Sequence, residues 1–341
     1  MINKENIVSD FAEYNPQMLV PKIHASRYDD RRGNRFYFFE ENGGYRSAIG
    51  ITTLLGKVMP ENYFLTQWKL DWGDSWKELL DLTAEFGTYM HIGCAYILQN
   101  RAMPDEEYFT EGRKIVKKIM KFESKTPANM LEKNMISFWK FVNDYNIKPL
   151  LIEALLVYQT QEGEAYRLTQ DVLCEASYTK KWKEDVCVGE ISRGENKGKP
   201  KYEKQERTEE VKEIWCLDFK SNFQFKSEKD FFESHKLQLI GTKKAVEQNF
   251  GIVADKLANW SPLGWKTKEK QGAYALKFWD VTDKDEAILR LYEKLAYLQG
   301  MFRPSGSVEE LDVFANDFDS MYKNYSYIDY VSLLNEVEEN G

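Results

Sequence analysis

The stretch EIWCLDFKS, residues 213–221, decides how the chain is read. Side chains alternate across a strand, so residues two apart face one side. Ile214, Cys216, Asp218 and Lys220 therefore share one face, and Trp215, Leu217 and Phe219 share the other. The second face is apolar throughout and belongs in a core. The first begins apolar and ends on an acid and an amine, the form of a strand whose end opens into a cleft. Burying an unpaired carboxylate or ammonium is costly. Two arrangements meet that cost. Asp218 and Lys220 form an edge-strand ion pair, or a divalent cation compensates Asp218 while Lys220 faces a substrate phosphate.

The neighbouring segments extend the sheet. PLLIEALLVYQTQ (149–161) and AYRLTQDVLCEA (165–176) read as two strands separated by a turn at Glu162-Gly163, and KEIWCLDFKS (212–221) as a third. A helix is predicted over 227–250, with Ser227 as its N-cap and Gly251 just past its end. GIVADKLANW (251–260) and AYALKFWDV (273–281) read as strands, and 283–302 as a helix. Upstream, RFYFFEENGGY (35–45) reads as a strand running into a glycine turn, and a helix starts near Thr52 or Thr53 and stops at Pro60. Residues 75–99 carry Leu79, Leu82, Phe86, Met90 and Ile97 near one helical stripe, and 105–122 and 126–145 read as two more amphipathic helices. This order predicts an α/β fold: a central mixed β-sheet flanked by helices, with a helical N-terminal part and a helical C-terminal extension.

The hydrophilic stretch 180–210 reads as an extended hairpin or loop. Its lysines outnumber its acids from 196 to 204. Lys197, Lys199 and Lys201 are thus candidate contacts to a nucleic-acid backbone, against the plainer reading of a solvated loop.

The bulk numbers set limits. A chain of 341 residues with 43% hydrophobic content suits one large domain or two small ones. A formal charge of −8 argues against a protein that coats nucleic acid non-specifically. It leaves room for an enzyme with a locally positive cleft. Cys94, Cys174, Cys187 and Cys216 include no Cys-x-x-Cys pair and read as reduced thiols rather than zinc or iron–sulfur ligands. No apolar signal core opens the sequence and no stretch of 18 apolar residues occurs, so a cytoplasmic protein with no membrane partner is expected.

Four further positions bear on Asp218 and Lys220. Asp171 lies in the middle of a run that should be half buried, TQDVLCE (169–175), and needs a partner. On a strand adjacent to Asp218 it could share a metal, and oxygen-rich sites select Mg²⁺ or Mn²⁺. His91 lies within a predicted helix, four residues after Gly87 and on the same face. A glycine there lets the backbone approach a neighbour closely, and His91 could reach over the sheet end as a nitrogen ligand. Gln238 falls on the helix after the Asp-x-Lys strand, where an amide can donate to a phosphate or base. Glu153 opens the first core strand as a supporting acceptor. His24 and His235 have weaker contexts.

Taken in order, Gly87-Thr88-x-x-His91, Glu153, Asp171, Asp218-Phe219-Lys220 and Gln238 resemble the PD-(D/E)XK nuclease superfamily, most of all its RecB-like exonuclease branch. The likeness covers roughly residues 45–260 and includes the ITTLLG segment (51–56) and the tryptophan-containing stretch 68–76. It implies a restriction-endonuclease-like core over 46–281, with a helical insertion at about 102–148, after an N-terminal segment 1–45 and before an extension 282–341. It implies His91, Asp171, Asp218 and the backbone carbonyl of Phe219 as metal ligands, Lys220 as the catalytic lysine, Gln238 as the helix-borne glutamine and Glu153 in support. Three departures stand out. No glycine precedes Asp171 in the family's usual position, Thr242 stands where a tyrosine often follows the glutamine, and the grouped cysteines of the iron–sulfur subgroup are missing. The third argues for an enzyme without a cluster.

The expected activity is Mg²⁺- or Mn²⁺-dependent hydrolysis of single- or double-stranded DNA to 5′-phosphate and 3′-hydroxyl ends. The setting would be phage or bacterial recombination, replication or repair, alongside other such proteins. In a phage-encoded case the compartment is the host cytoplasm. The alternative is a catalytically inactive DNA-binding or assembly protein on the same fold, with Asp218 and Lys220 as a plain ion pair.

Overall fold

The computed structural model describes residues 25–305 apart from 31, 33, 42–43, 61–62, 222–226 and 264–271. His24, most of the N-terminal segment and residues 306–341 of the expected extension lie outside the described residues.

The described chain opens with three strands, β1 (Ala25–Asp29), β2 (Arg35–Glu41) and β3 (Gly44–Gly50), paired antiparallel in turn. The expected hairpin after the aromatic run Phe36–Phe39 is therefore present, and strands precede the helices of the N-terminal part. Helix α1 (Ile51–Val58) ends before Pro60. Helices α2 (Tyr63–Trp72), α3 (Trp76–Asn100), α4 (Glu106–Ile119) and α5 (Met130–Asp144) follow. Asp105 caps α4 by accepting from the Tyr108 N–H at 2.9 Å.

Strands β4 (Lys148–Gln159), β5 (Ala165–Glu190) and β6 (Pro200–Phe219) form an antiparallel run, and β6 pairs in parallel with β7 (Lys256–Pro262). Parallel pairing requires a crossover, and helix α6 (Glu233–Phe250) supplies it. Ser227 does form a capping box, but around a single 3₁₀ turn at Glu228–Asp230. The chain then extends to bury Phe231, so α6 begins only at Glu233. Gly251, with φ of +69°, closes α6 in the left-handed conformation that glycine adopts without strain. Strand β8 (Tyr274–Phe278) pairs antiparallel with β7, and α7 (Asp283–Leu298) completes the described elements.

The sheet order is β1-β2-β3-β5-β6-β7-β8, with β4 on the other edge of β5, giving a mixed sheet flanked by helices. Its two faces carry two cores. Helices α3, α4 and α5 pack Phe86, Met90, Val116 and Phe138 against Val172, Trp215, Leu217 and Phe219. Helices α1, α6 and α7 pack Leu54, Ile240 and Leu289 against Leu151, Leu173 and Cys216. The alternation read in residues 214–220 is therefore the alternation between the two layers. Leu79, Leu82, Phe86, Met90 and Ile97 are all buried on α3, as their spacing predicts. Among the described residues, no helix is long and apolar enough to cross a membrane.

The segment 180–210 is a two-stranded ribbon. The ladder between β5 and β6 continues from Val172↔Leu217 to Glu190↔Pro200, far past the last residues that other strands cover. Its turn is closed by Ile191 N–H to Lys199 O at 2.9 Å and Gly198 N–H to Ile191 O at 2.9 Å.

Candidate metal centre and its lysine

Strands β4, β5 and β6 bring three acids to one end of the sheet. Ile152↔Val172 and Ala154↔Gln170 flank Glu153 and Asp171, so these two stand opposite each other. Glu153 itself leaves the ladder: its φ is +46°, in the left-handed region. That conformation is uncommon for a residue other than glycine and costs on the order of 1–3 kcal/mol, and such strain collects where a site needs it. Its carboxylate meets His91 instead, with Glu153 Oε1 2.8 Å from His91 Nδ1. Asp171 Oδ1 lies 3.9 Å from the same nitrogen.

His91 comes from α3, which can lie close because of Gly87. A methyl group on Gly87 would come within 3.0 Å of Ser221 Oγ, on the residue after Lys220. The close approach expected of this glycine is therefore present. Beneath the imidazole, Phe219 packs edge-on at 5.7 Å and is held in turn by Phe138 and Trp260.

Strand β6 adds Asp218 and Lys220. The backbone N–H of Phe219 donates to Asp171 Oδ2 at 2.6 Å, joining β5 to β6 at the site. Lys220 Nζ lies 2.8 Å from Asp218 Oδ2 and donates to Gln238 Oε1 at 3.2 Å. Its backbone N–H donates to Trp260 O at 2.8 Å, which fixes the strand end. Gln238 thus reaches the lysine from α6, the helix expected to carry it.

Electrostatics follow from burial and like charge. Burial draws the His91 imidazole down, but Asp171, Glu153 and Asp218 outweigh it and raise it to about 9. Burial pushes Asp218 up to about 6 against the pull of Lys220, with Asp171 adding to the rise. Asp171 is raised as well, by burial first and by Glu153, against His91, Lys220 and the Phe219 N–H. His235, near Lys220, is drawn down to about 3, by burial and then by the lysine's charge. It accepts from the Phe232 N–H at the start of α6. Excess negative charge in a dry site is the condition a cation relieves.

The ligand atoms of His91, Glu153 and Asp171 all lie within 4.8 Å of one another. Around an ion at ~2.1 Å, octahedral ligands stand ~3.0 Å apart when adjacent and ~4.2 Å when opposite. Two carboxylates and one imidazole at this spacing can coordinate a divalent cation such as Mg²⁺. The resemblance implies His91, Asp171, Asp218 and the Phe219 carbonyl as the ligand set, with Glu153 in support. The structure gathers His91, Asp171 and Glu153, while the oxygens of Asp218 are engaged by Lys220 and Asn259. Nothing in the local sequence marks Glu153 for a left-handed backbone. The role of Gln170 was also missed: it is buried and donates to the carbonyls of Val172 and Leu217 at 2.7 and 2.9 Å, tying the two strands beside Asp171. Lys197, Lys199 and Lys201 lie at the tip of the ribbon, away from this cluster; Lys199 donates to Asn196 Oδ1 and Lys201 pairs with Glu203.

No family model, curated protein or solved structure matches the chain, so the functional reading stands on the geometry of the site.

Proposed function

We propose that the chain is a divalent-cation-dependent DNA nuclease of the PD-(D/E)XK kind, with a restriction-endonuclease-like core, acting as an exonuclease. One observation carries this reading. An ammonium, Lys220, follows directly on the strand residue whose N–H holds Asp171, beside a His/Glu/Asp cluster that can hold a cation. The run of Glu153, Asp171 and Asp218-x-Lys220 on three successive antiparallel strands, followed by a parallel fourth, supports it.

His91, Glu153 and Asp171 would hold the ion, with Asp218 and the Phe219 carbonyl as further proposed ligands. A bound Mg²⁺ or Mn²⁺ would polarise the phosphoryl group and acidify a water. Lys220 donates to a non-bridging phosphoryl oxygen as charge builds on it. Asp218 and Gln238 keep the ammonium in place for that contact. The water gives up a proton to solvent as its oxygen bonds to phosphorus, the bond from phosphorus to the 3′ oxygen breaks, and that oxygen takes a proton from solvent. The products are a 5′-phosphate and a 3′-hydroxyl. The lysines at the ribbon tip are the proposed contacts to the DNA backbone.

The test is incubation with end-labelled linear and circular DNA, single- and double-stranded, with Mg²⁺, Mn²⁺ or EDTA. The expected result is loss of linear DNA from its ends with either ion and none with EDTA. No hydrolysis of any substrate under either ion would overturn the reading and leave a DNA-binding protein in which Asp218 and Lys220 are an ion pair.

A further inference from the structure

A buried amide lies behind the site. Asn259 stands on β7 beside Asp218 in the parallel ladder and is fully buried. An amide in such a place needs partners at both ends. Asn259 Nδ2 donates to Asp218 Oδ2, and Asn259 Oδ1 accepts from Trp279 Nε1 at 2.6 Å. An indole N–H can only donate. It therefore selects the orientation of the amide: the oxygen end is taken by the indole, and the NH₂ end faces the carboxylate. Turned over, the amide would set its oxygen against that of Asp218. Trp279 is itself pinned. Its backbone N–H donates to Leu257 O at 2.9 Å, and Lys277 Nζ lies 4.3 Å from its ring centroid. Lys236, paired with Asp285 at 2.8 Å, lies 5.9 Å from the same ring.

We infer that Asn259 and Trp279 are positioning residues: together they hold the Asp218 carboxylate so that it keeps the Lys220 ammonium beside Gln238. The kinetic consequence rests on the nuclease reading, and the structural coupling does not.

Two measurements separate these. In protein carrying ¹⁵N-tryptophan, each of the nine tryptophans gives one indole N–H signal. The signal of Trp279 is identified by its loss in Trp279→Phe, or in Trp279→Tyr should the first variant not fold. Asp218→Asn should move that signal through the amide, and an unmoved signal overturns the inference. In DNA cleavage with Mg²⁺, Trp279→Phe and Asn259→Leu should each lower kcat by about tenfold, with KM held within about twofold. The double variant should lose no more than the worse single variant, because both act through one carboxylate. Additive losses, or a loss confined to KM, overturn it. A chain that cleaves no DNA removes the nuclease reading, and the indole signal still decides the coupling.

Discussion

Trp215 and Trp182 belong to the same β5–β6 ladder, yet the first is 0% exposed and the second 40% exposed. Trp215 packs against Tyr145, Tyr178 and Phe278, under the helical layer that also carries His91. Trp182 stands opposite Arg207, with Lys180 near its ring, and belongs to none of the buried clusters among the described residues. Backbone hydrogen bonds run through both halves, so the ladder alone does not decide what each half does. In the inner half, burial makes every charge expensive, and Asp171 and Asp218 must be matched by named partners. In the outer half, water screens exposed pairs such as Arg207 and Glu184 at 3.0 Å, and such surface pairs are worth about 0–1 kcal/mol. The chemistry sits where charges cannot be screened.

The strongest test of this contrast is Trp215→Ala, which should cost about 3–5 kcal/mol of stability in urea denaturation. A loss under 1 kcal/mol would mean that the inner ladder does not depend on its core. Next comes Lys220→Ala. It should lower kcat for DNA cleavage by about 10³-fold, about 4 kcal/mol, while a gel-shift assay shows DNA still bound. Full cleavage by that variant would remove Lys220 from the chemistry.

These two expectations also show what the sequence could and could not reveal. The change from apolar to charged along residues 214–220 was legible because a strand between two cores has a strict period of two. The stripe on α3 was legible for the same kind of reason. Gly87 and Gln238 were legible as positions facing the strand end. The left-handed backbone of Glu153 was not, because no glycine or asparagine marks it and its cause is long-range. Asn259 was passed over because its partners come from β6 and from Trp279, 20 residues on. The outer ribbon was legible only as an extended hairpin or loop, since both of its faces meet water and neither needs an apolar period.

A third test concerns protons. His91 is held at about 9, above its ordinary 6.5, so it is protonated between its two carboxylates at neutral pH. Ligation needs the neutral ring, so binding a cation releases that proton. Apparent Mg²⁺ affinity should rise about tenfold per pH unit from 7 towards 9 and then level off, about 1.4 kcal/mol per unit. In the metal-free protein the sign is the opposite. A raised folded-state value gives stability that is present below pH 6.5 and lost as pH climbs through 9. Calorimetry in buffers of different ionisation enthalpy reads the released proton directly, and an affinity flat over this range would mean that cation binding displaces no proton from His91.

The ribbon tip gives a smaller effect. Lys197, Lys199 and Lys201 are exposed, so replacing all three with alanine should leave the melting temperature unchanged. It should weaken DNA binding and make it less sensitive to salt. The log–log slope should fall by up to about 0.9 for each phosphate that a lysine no longer neutralises. An unchanged slope would return the tip to the role of a solvated turn.

The smallest expected effect completes the comparison. Trp182→Ala on the outer ladder should change stability by no more than about 0.5 kcal/mol, because no core is opened when an exposed ring is removed. The same logic extends to the whole outer ribbon. Replacing residues 180–210 with a short turn should leave β5 and β6 joined through their buried register, Val172↔Leu217 to Glu175↔Ile214. Cation binding should persist in that shortened chain, since His91, Glu153 and Asp171 come from α3, β4 and the inner part of β5, outside residues 180–210. Loss of the Mg²⁺ titration on excision would show that the outer ladder, despite its exposure, holds the inner one in register.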